Sequence, residues 1–151
     1  MDLSQYPNFK RFSGKNILAV DYGTKVTGTA TFCPGRDPFP LLFTSIVYKS
    51  DQQVITELSQ IADDEGIDVL VLGLPLFTDG KESEMTQRVR KFGEELQAAI
   101  SSIEFYLQDE TLTSYEAEDR MKNSPEFNFK VDMKKIDMVA ASIILEDFIK
   151  S

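Results

Sequence analysis

One stretch of the chain is apolar at nearly every position. It runs from Ile67 to Leu74, is broken only by Asp68 and Gly73, and is followed directly by Pro75. A strand that is apolar on both sides, instead of alternating, is typical of a parallel strand whose two faces are both covered. The chain is therefore expected to fold as an α/β protein, with helices packed on both faces of a sheet.

The segments on either side of this strand differ in their periodicity. Three strands are predicted before it, at residues 16–22, 26–33 and 40–48, and their short connections favour antiparallel pairing. A helix is predicted from Asp51, which we expect to cap it, to Gly66. The remaining predicted elements are a helix at 82–100, a strand at 103–107, a short helix at 114–123, a polar irregular segment at 124–134 and an amphipathic helix at 136–149.

This order of elements, β-β-β-α-β-α-β-α-α, favours a mixed sheet. An antiparallel meander is followed by two βα units, so we expect one domain spanning residues 1–151 with strand order 3-2-1-4-5. In that order the first and fifth strands lie on either side of the fourth.

Composition restricts the chemistry that is open to the chain. It contains no histidine and one cysteine, Cys33, which excludes serine–histidine and cysteine–histidine catalysis and any histidine- or thiolate-based metal site. A bound metal would have to be a hard, oxygen-preferring ion such as Mg²⁺ or Mn²⁺. The net charge of −9 argues against a protein that coats nucleic acid. There is no basic-plus-apolar N-terminal signal and no apolar segment of membrane-spanning length, so we expect a cytoplasmic protein.

Three acidic residues stand at the ends of predicted elements. Asp21 ends the first strand, Glu110 follows the fifth, and Asp137 opens the last helix beside Ala140 and Ala141. Each has a simpler explanation when taken alone: a turn cap, a solvated strand end and a helix N-terminal charge, respectively. In the expected strand order, however, they meet at one edge of the sheet. Clustered carboxylates repel one another, and a pair of divalent cations would relieve that repulsion and promote phosphodiester cleavage.

Several motifs along the chain resemble those of the YqgF/RuvX family, whose members are described as Holliday-junction resolvases and are implicated in trimming precursor small-subunit ribosomal RNA. The resemblance implies an RNase H-like fold and a metal-dependent nuclease site. By matching motif positions, Asp21, Glu110 and Asp137 would be the catalytic residues and would hold Mg²⁺ or Mn²⁺. The matching segments span nearly the whole chain in the right order: residues 21–25 with Gly28 and Ala30, 71–76, 79–80, 88–92, 109–110, 112–114, 136–137, 140–141 and 143–145.

The chain departs from the family pattern at two positions beside this site. Val26 and Thr111 stand where the family usually has arginine, whose guanidinium donates two hydrogen bonds to a phosphate group. Weaker substrate binding is therefore expected. Binding of structured RNA or branched DNA would then rely on four basic side chains, those of Lys25, Lys81, Arg88 and Lys91, although Arg88 and Lys91 also fit ordinary solvated helix charges.

Three functions follow from these observations. The first is a Mg²⁺- or Mn²⁺-dependent endonuclease, which would process the 5′ end of pre-ribosomal RNA or cut branched DNA. The second is a non-catalytic RNase H-like module associated with RNA, which the missing arginines and the acidic surface would suit. The third is an ATP-binding module of the actin and sugar-kinase type, which needs two such domains and therefore a longer chain than 151 residues. The sequence leaves open whether the chain is a monomer or a homodimer.

Overall fold

The structure, a computed structural model, describes residues 2–151 and has helices on both faces of one five-stranded sheet. The strands are β1 (Ile17–Asp21), β2 (Val26–Phe32), β3 (Leu41–Val47), β4 (Val69–Leu74) and β5 (Glu104–Asp109). The helices are α1 (Pro7–Arg11), α2 (Asp51–Asp64), α3 (Glu84–Ala99), α4 (Thr113–Lys122) and α5 (Ile136–Lys150), with single 3₁₀ turns at Leu3–Gln5 and Pro125–Phe127.

The strand order is β3-β2-β1-β4-β5, which confirms the predicted 3-2-1-4-5 sheet. β2 is antiparallel to both β1 and β3, while β4 is parallel to β1 and to β5. The carboxyl ends of β1, β4 and β5 therefore lie at one edge of the sheet. This is the edge at which Asp21 ends β1 and Glu110 follows β5.

Alternation along the strands separates the core into two layers. Leu18 and Val20 face a cluster completed by α2 and α3, whereas Ile17 and Ala19 face a cluster completed by the N-terminal segment and α5. β4 alternates in the same way between the two clusters and is buried at every position. The apolar run that predicted a doubly covered strand is thus explained, because each face of β4 packs against helices.

α5 differs from the amphipathic helix that was predicted at 136–149. Ten of its 15 residues are buried, because the helix packs against the sheet on one side and against α4 and the N-terminal segment on others. A helix surrounded in this way needs no polar stripe. None of the helices formed by residues 2–151 combines the length and the apolar character needed to cross a membrane.

Two local predictions near the chain's first helices were incomplete or wrong. The structure contains α1, which was not predicted; it is only five residues long and begins with Pro7 at a position where proline is well tolerated. The cap of α2 is Ser50 and not Asp51, since Ser50 and Gln53 form a reciprocal capping box. Asp51 instead accepts hydrogen bonds from the hydroxyls of Tyr22 (2.6 Å) and Tyr48 (3.0 Å).

Candidate active site

Asp21 and Glu110 meet across the end of β4, where the side chain between them is missing. By the alternation of β1, Asp21 points to the same face as Ile17 and Ala19, the face covered by α5. Gly73 of β4 lies between the two strands on that face, and a Cβ at this position would lie 3.0 Å from the carboxyl carbon of Glu110 and would overlap Ile144 of α5. The absence of a side chain at Gly73 therefore makes the space into which Glu110 turns.

The carboxyl groups of Asp21 and Glu110 are close enough to share a proton. Both side chains are partly buried, and burial is the largest cause that raises the pKa of each group above its ordinary value. The neighbouring carboxylates add to this effect: Asp21 and Asp109 raise the pKa of Glu110, and Asp137 raises that of Asp21. Within residues 2–151, no lysine or arginine forms an ion pair with either group.

Asp137 is brought to this pair by a close contact between α5 and β2. Gly28 is the register partner of Asp21, and a Cβ on Gly28 would overlap the backbone carbonyl of Asp137 and lie 2.7 Å from the amide nitrogen of Met138. The first turn of α5 therefore rests directly on β2, one strand away from Asp21. The Asp137 side chain is partly buried, and this burial raises its pKa.

Gly28→Ala is expected to destabilise the protein and to displace Asp137 at the same time. Because the added methyl would overlap backbone atoms, which cannot rotate away, the cost should reach about 3 kcal/mol, the upper end of the usual overpacking range. Gly80→Ala is the control: its Cβ meets nothing within 4 Å, so only the strain of its φ of +81° is expected, about 1 kcal/mol. Chemical denaturation of both variants measures the difference, and equal costs would contradict the proposed contact.

The donor atoms at this edge fit a hard divalent cation. They are carboxylate oxygens whose repulsion is not relieved by any neighbouring protein cation, which is the ligand set that Mg²⁺ and Mn²⁺ prefer. The three carboxylates do not surround one common ion position, because no three His, Cys, Asp or Glu side chains of residues 2–151 are grouped tightly enough to hold one ion. Asp21 and Glu110 are in contact with each other, and Asp137 lies next to this pair.

The four basic residues suggested for nucleic-acid binding lie at different places around the fold. Lys25 is exposed in the β1–β2 turn, and Lys81 is exposed in the β4–α3 loop, where its Nζ lies 4.0 Å from Asp79. Lys91 is exposed on α3, which covers the face of the sheet opposite to α5. Arg88, also on α3, donates hydrogen bonds to two tyrosine hydroxyls, those of Tyr22 at 3.1 Å and Tyr48 at 3.2 Å.

The two positions where arginine is missing are also close to the carboxylates. Val26 begins β2, next to the turn that follows Asp21, and is partly buried. Thr111 follows Glu110 directly; its hydroxyl donates a hydrogen bond to Asp109 (2.5 Å) and contacts the carbonyl of Leu76 (3.4 Å). Thr111 thus joins the β5–α4 loop to the β4–α3 loop and carries no charge toward the site.

Together, the mixed sheet of order 3-2-1-4-5, the helix across it and the acidic residues at its edge define the RNase H-like class of folds. Within that class, the chain belongs to the RuvX family, described as Holliday junction resolvases, whose family model matches residues 15–151. The resemblance found in the sequence motifs and the predicted fold class are both confirmed.

A relative supports the family in sequence, and solved structures support the fold. A relative from Nitratidesulfovibrio vulgaris, named "Putative pre-16S rRNA nuclease", is 35% identical over 133 residues, which cover 87% of this chain and 91% of the relative. The Thermus thermophilus RuvC structure with a Holliday junction substrate is similar in fold, with a TM-score of 0.56 and 9% identity over 86% of this chain and 91% of that one. The yeast mitochondrial Holliday junction resolvase gives a TM-score of 0.51 and 11% identity, over 98% and 83%.

Proposed function

We propose that the chain is a nuclease that hydrolyses phosphodiester bonds in structured nucleic acid, using Mg²⁺ or Mn²⁺ held by Asp21, Glu110 and Asp137. The observation that carries this proposal is the pair formed by Asp21 and Glu110, two partly buried carboxyl groups that lie within hydrogen-bonding reach of each other and have no cationic partner within residues 2–151. Such a pair is costly to keep for structural reasons alone, because unpaired buried charge destabilises a fold.

The chain's own residues define what each group would do. Asp21 and Glu110 would hold the cation through their carboxylate oxygens, which requires both groups to be deprotonated. Asp137, fixed on the first turn of α5 by its contact with β2, would supply a third carboxylate. A bound cation would neutralise these charges and act as a Lewis acid on the phosphate. Gly73 leaves the space into which the Glu110 side chain turns, and so lets this carboxyl group reach Asp21.

The three carboxylates lie at one edge of the sheet, and a groove of about 820 Å³ between β3 and the start of α2 is lined by none of them. The class of substrate is therefore inferred from the relatives and the solved neighbours. The names of the relatives point to precursor 16S ribosomal RNA, and the solved neighbours act on Holliday junctions. We therefore propose pre-ribosomal RNA near its 5′ end, or branched DNA, as the substrate.

A cleavage assay with purified protein tests this function. The substrates are an end-labelled precursor 16S leader transcript and a four-way DNA junction, each incubated with Mg²⁺, with Mn²⁺ or with excess chelator. We expect cleavage of at least one substrate that requires metal and depends only weakly on salt, because few phosphates are neutralised by this acidic chain. If neither substrate is cut under any metal condition, the nuclease proposal is wrong.

A non-catalytic module that associates with RNA is the second candidate. It is favoured by the uncharged residues Val26 and Thr111 at the positions where the family usually has arginine, because both lie next to the carboxylates. In the assay above, this function corresponds to binding of the leader transcript without cleavage at any metal concentration.

A further inference from the structure

Leu112 violates two local conformational preferences at once, immediately beside the candidate site. Its φ is +66°, a left-handed conformation that is a true outlier for a bulky residue. It is also the N-cap of α4, where it can form no side-chain cap, although serine, threonine, aspartate and asparagine are strongly preferred. Burial does not compensate for this, since the side chain is 58% exposed. Strain without local benefit is a mark of a functional position.

Leu112 is one of several apolar side chains exposed at the same edge of the sheet. Phe77 is 57% exposed in the β4–α3 loop, Tyr115 is 69% exposed on the first turn of α4, and Met133 is 72% exposed just before α5. We call these four residues the apolar rim. A contact between the Thr111 hydroxyl and the carbonyl of Leu76 (3.4 Å) brings together the loops that carry Phe77 and Leu112.

The apolar rim is close to the carboxylates along the chain. Leu112 is two residues from Glu110 and Met133 is four residues from Asp137, so their Cα atoms lie within roughly 7 Å and 14 Å of these acids even if the chain is fully extended. Tyr115 lies one helical turn beyond Leu112. The apolar rim therefore borders the place where the proposed function would put the scissile phosphate. The present inference rests on that proposed function.

The balance of charge indicates which part of a nucleic acid the rim would contact. The chain carries a net charge of −9, and no lysine or arginine within residues 2–151 forms an ion pair with the three acids. Phosphates are thus a poor source of affinity here, whereas aromatic side chains such as those of Phe77 and Tyr115 stack on bases without regard to sequence. Leu112 and Met133 add apolar contact beside them. Bases are available for stacking only where they are unpaired.

We propose that the apolar rim stacks on unpaired nucleobases next to the scissile phosphate, so that the substrate strand is single-stranded where it is cut. Paired duplex, whose bases are already stacked internally, would be bound less well. The strained backbone of Leu112 would hold its side chain outward for this contact.

Equilibrium binding without metal tests the proposal, because cleavage then makes no contribution. The probes are a fluorescent single-stranded oligoribonucleotide, the same strand annealed to its complement, and the same strand with abasic central nucleotides, which keep every phosphate but remove the stacking bases. We expect the single strand to bind best, and the abasic strand to bind roughly five-fold to more than one-hundred-fold more weakly. Binding of the intact single strand should depend only weakly on salt concentration.

The matching variants are Leu112→Asn, Tyr115→Ala and a control, Phe39→Ala. Asparagine tolerates a positive φ and caps helices well, so Leu112→Asn should raise the melting temperature while it weakens binding of the single strand. This combination separates lost contact from lost folding. Phe39 is 59% exposed but precedes β3 at the opposite end of the sheet, so Phe39→Ala should leave binding unchanged.

The possible outcomes separate the rim from the nuclease activity. Equal binding of the intact and abasic strands, or a preference for the duplex, overturns the stacking proposal even if the protein cleaves its substrates with metal. Base-dependent binding that Leu112→Asn and Tyr115→Ala weaken, in a protein that never cleaves, supports the rim and overturns the proposed function. If no probe binds at low salt, the stacking proposal is wrong, and the cleavage assay alone decides the proposed function.

Discussion

Glu110→Gln is expected to lower the rate of metal-dependent cleavage by about a thousandfold while the protein remains folded. The substitution keeps the size of the side chain but removes a charge that would hold the cation, and a bound cation contributes several kcal/mol of transition-state stabilisation. Folding should not suffer, because burial already raises the pKa of Glu110 and disfavours its charged form, and a neutral amide can still hydrogen-bond to Asp21.

The control for this variant is Glu104→Gln, the same chemical change on the same strand. Glu104 begins β5 at the opposite end from Glu110 and forms an exposed ion pair with Lys15, so its loss should change neither the cleavage rate nor the metal requirement. The measurement is single-turnover cleavage at saturating protein. Equal rates for Glu110→Gln and wild type would assign any activity to another site or to a contaminant.

Asp21→Asn is expected to stabilise the protein without metal and to abolish most of its stabilisation by metal. Without a cation, the pair keeps negative charge in a partly desolvated space, and replacing Asp21 by an amide removes the cost of burying that charge. With a cation, wild type gains stability by mass action because only the folded state assembles the ligands. The variant lacks one ligand, so the order of the two melting temperatures should reverse when Mg²⁺ or Mn²⁺ is added.

The sign of the pH dependence follows from the same pair. Both folded-state pKa values are raised, from 3.8 to about 6 for Asp21 and from 4.5 to about 10 for Glu110, and they belong to the pair as a unit. Between about pH 6 and pH 10 the folded pair therefore still holds one proton that the unfolded state has lost. Metal-free stability falls as the pH rises through this window. One proton corresponds to about 1.4 kcal/mol per pH unit, or roughly 3–5 °C in melting temperature.

Cation binding displaces the shared proton, so stabilisation by metal should increase with pH in the wild type and remain small in Asp21→Asn. Glu104→Gln again serves as the control, because its ion pair with Lys15 lowers the pKa of Glu104 and places its titration below this window. Melting curves at several pH values, with and without metal, measure all three proteins. A metal response that is equal in wild type and Asp21→Asn would show that Asp21 is not a ligand.

The sheet was predictable because its strands carry strong local signals. The apolar run that became β4 indicates burial on both faces, and the order of elements fixed the position of β1 beside it. The placement of Asp21 and Glu110 followed directly, since both stand at the ends of parallel strands. The motif also contains Gly28, but only the structure shows that this glycine is what allows Asp137 to approach.

The features that the sequence did not indicate depend on tertiary contacts. α1 is too short to show a helical period, and the burial of α5 on several sides results from its packing against the sheet, α4 and the N-terminal segment. The positive φ of Leu112 had no signal at all, since leucine is not a residue from which a left-handed conformation is expected.

α5 gives the two sides of the candidate site different mechanical properties. Asp137 belongs to a helix that is buried along most of its length and is held at its far end by Asn8, which donates hydrogen bonds to the carbonyls of Phe148 (2.9 Å) and Ser151 (3.1 Å). Backbone amides of such a helix should exchange with deuterium only when the whole molecule opens. Glu110 instead precedes the loop that carries the exposed, left-handed Leu112, before α4 packs on α5 through Ala117 and Met121. The wall carrying Asp137 is therefore the more rigid one, and adjustment to a bound strand is expected in the loop that follows Glu110.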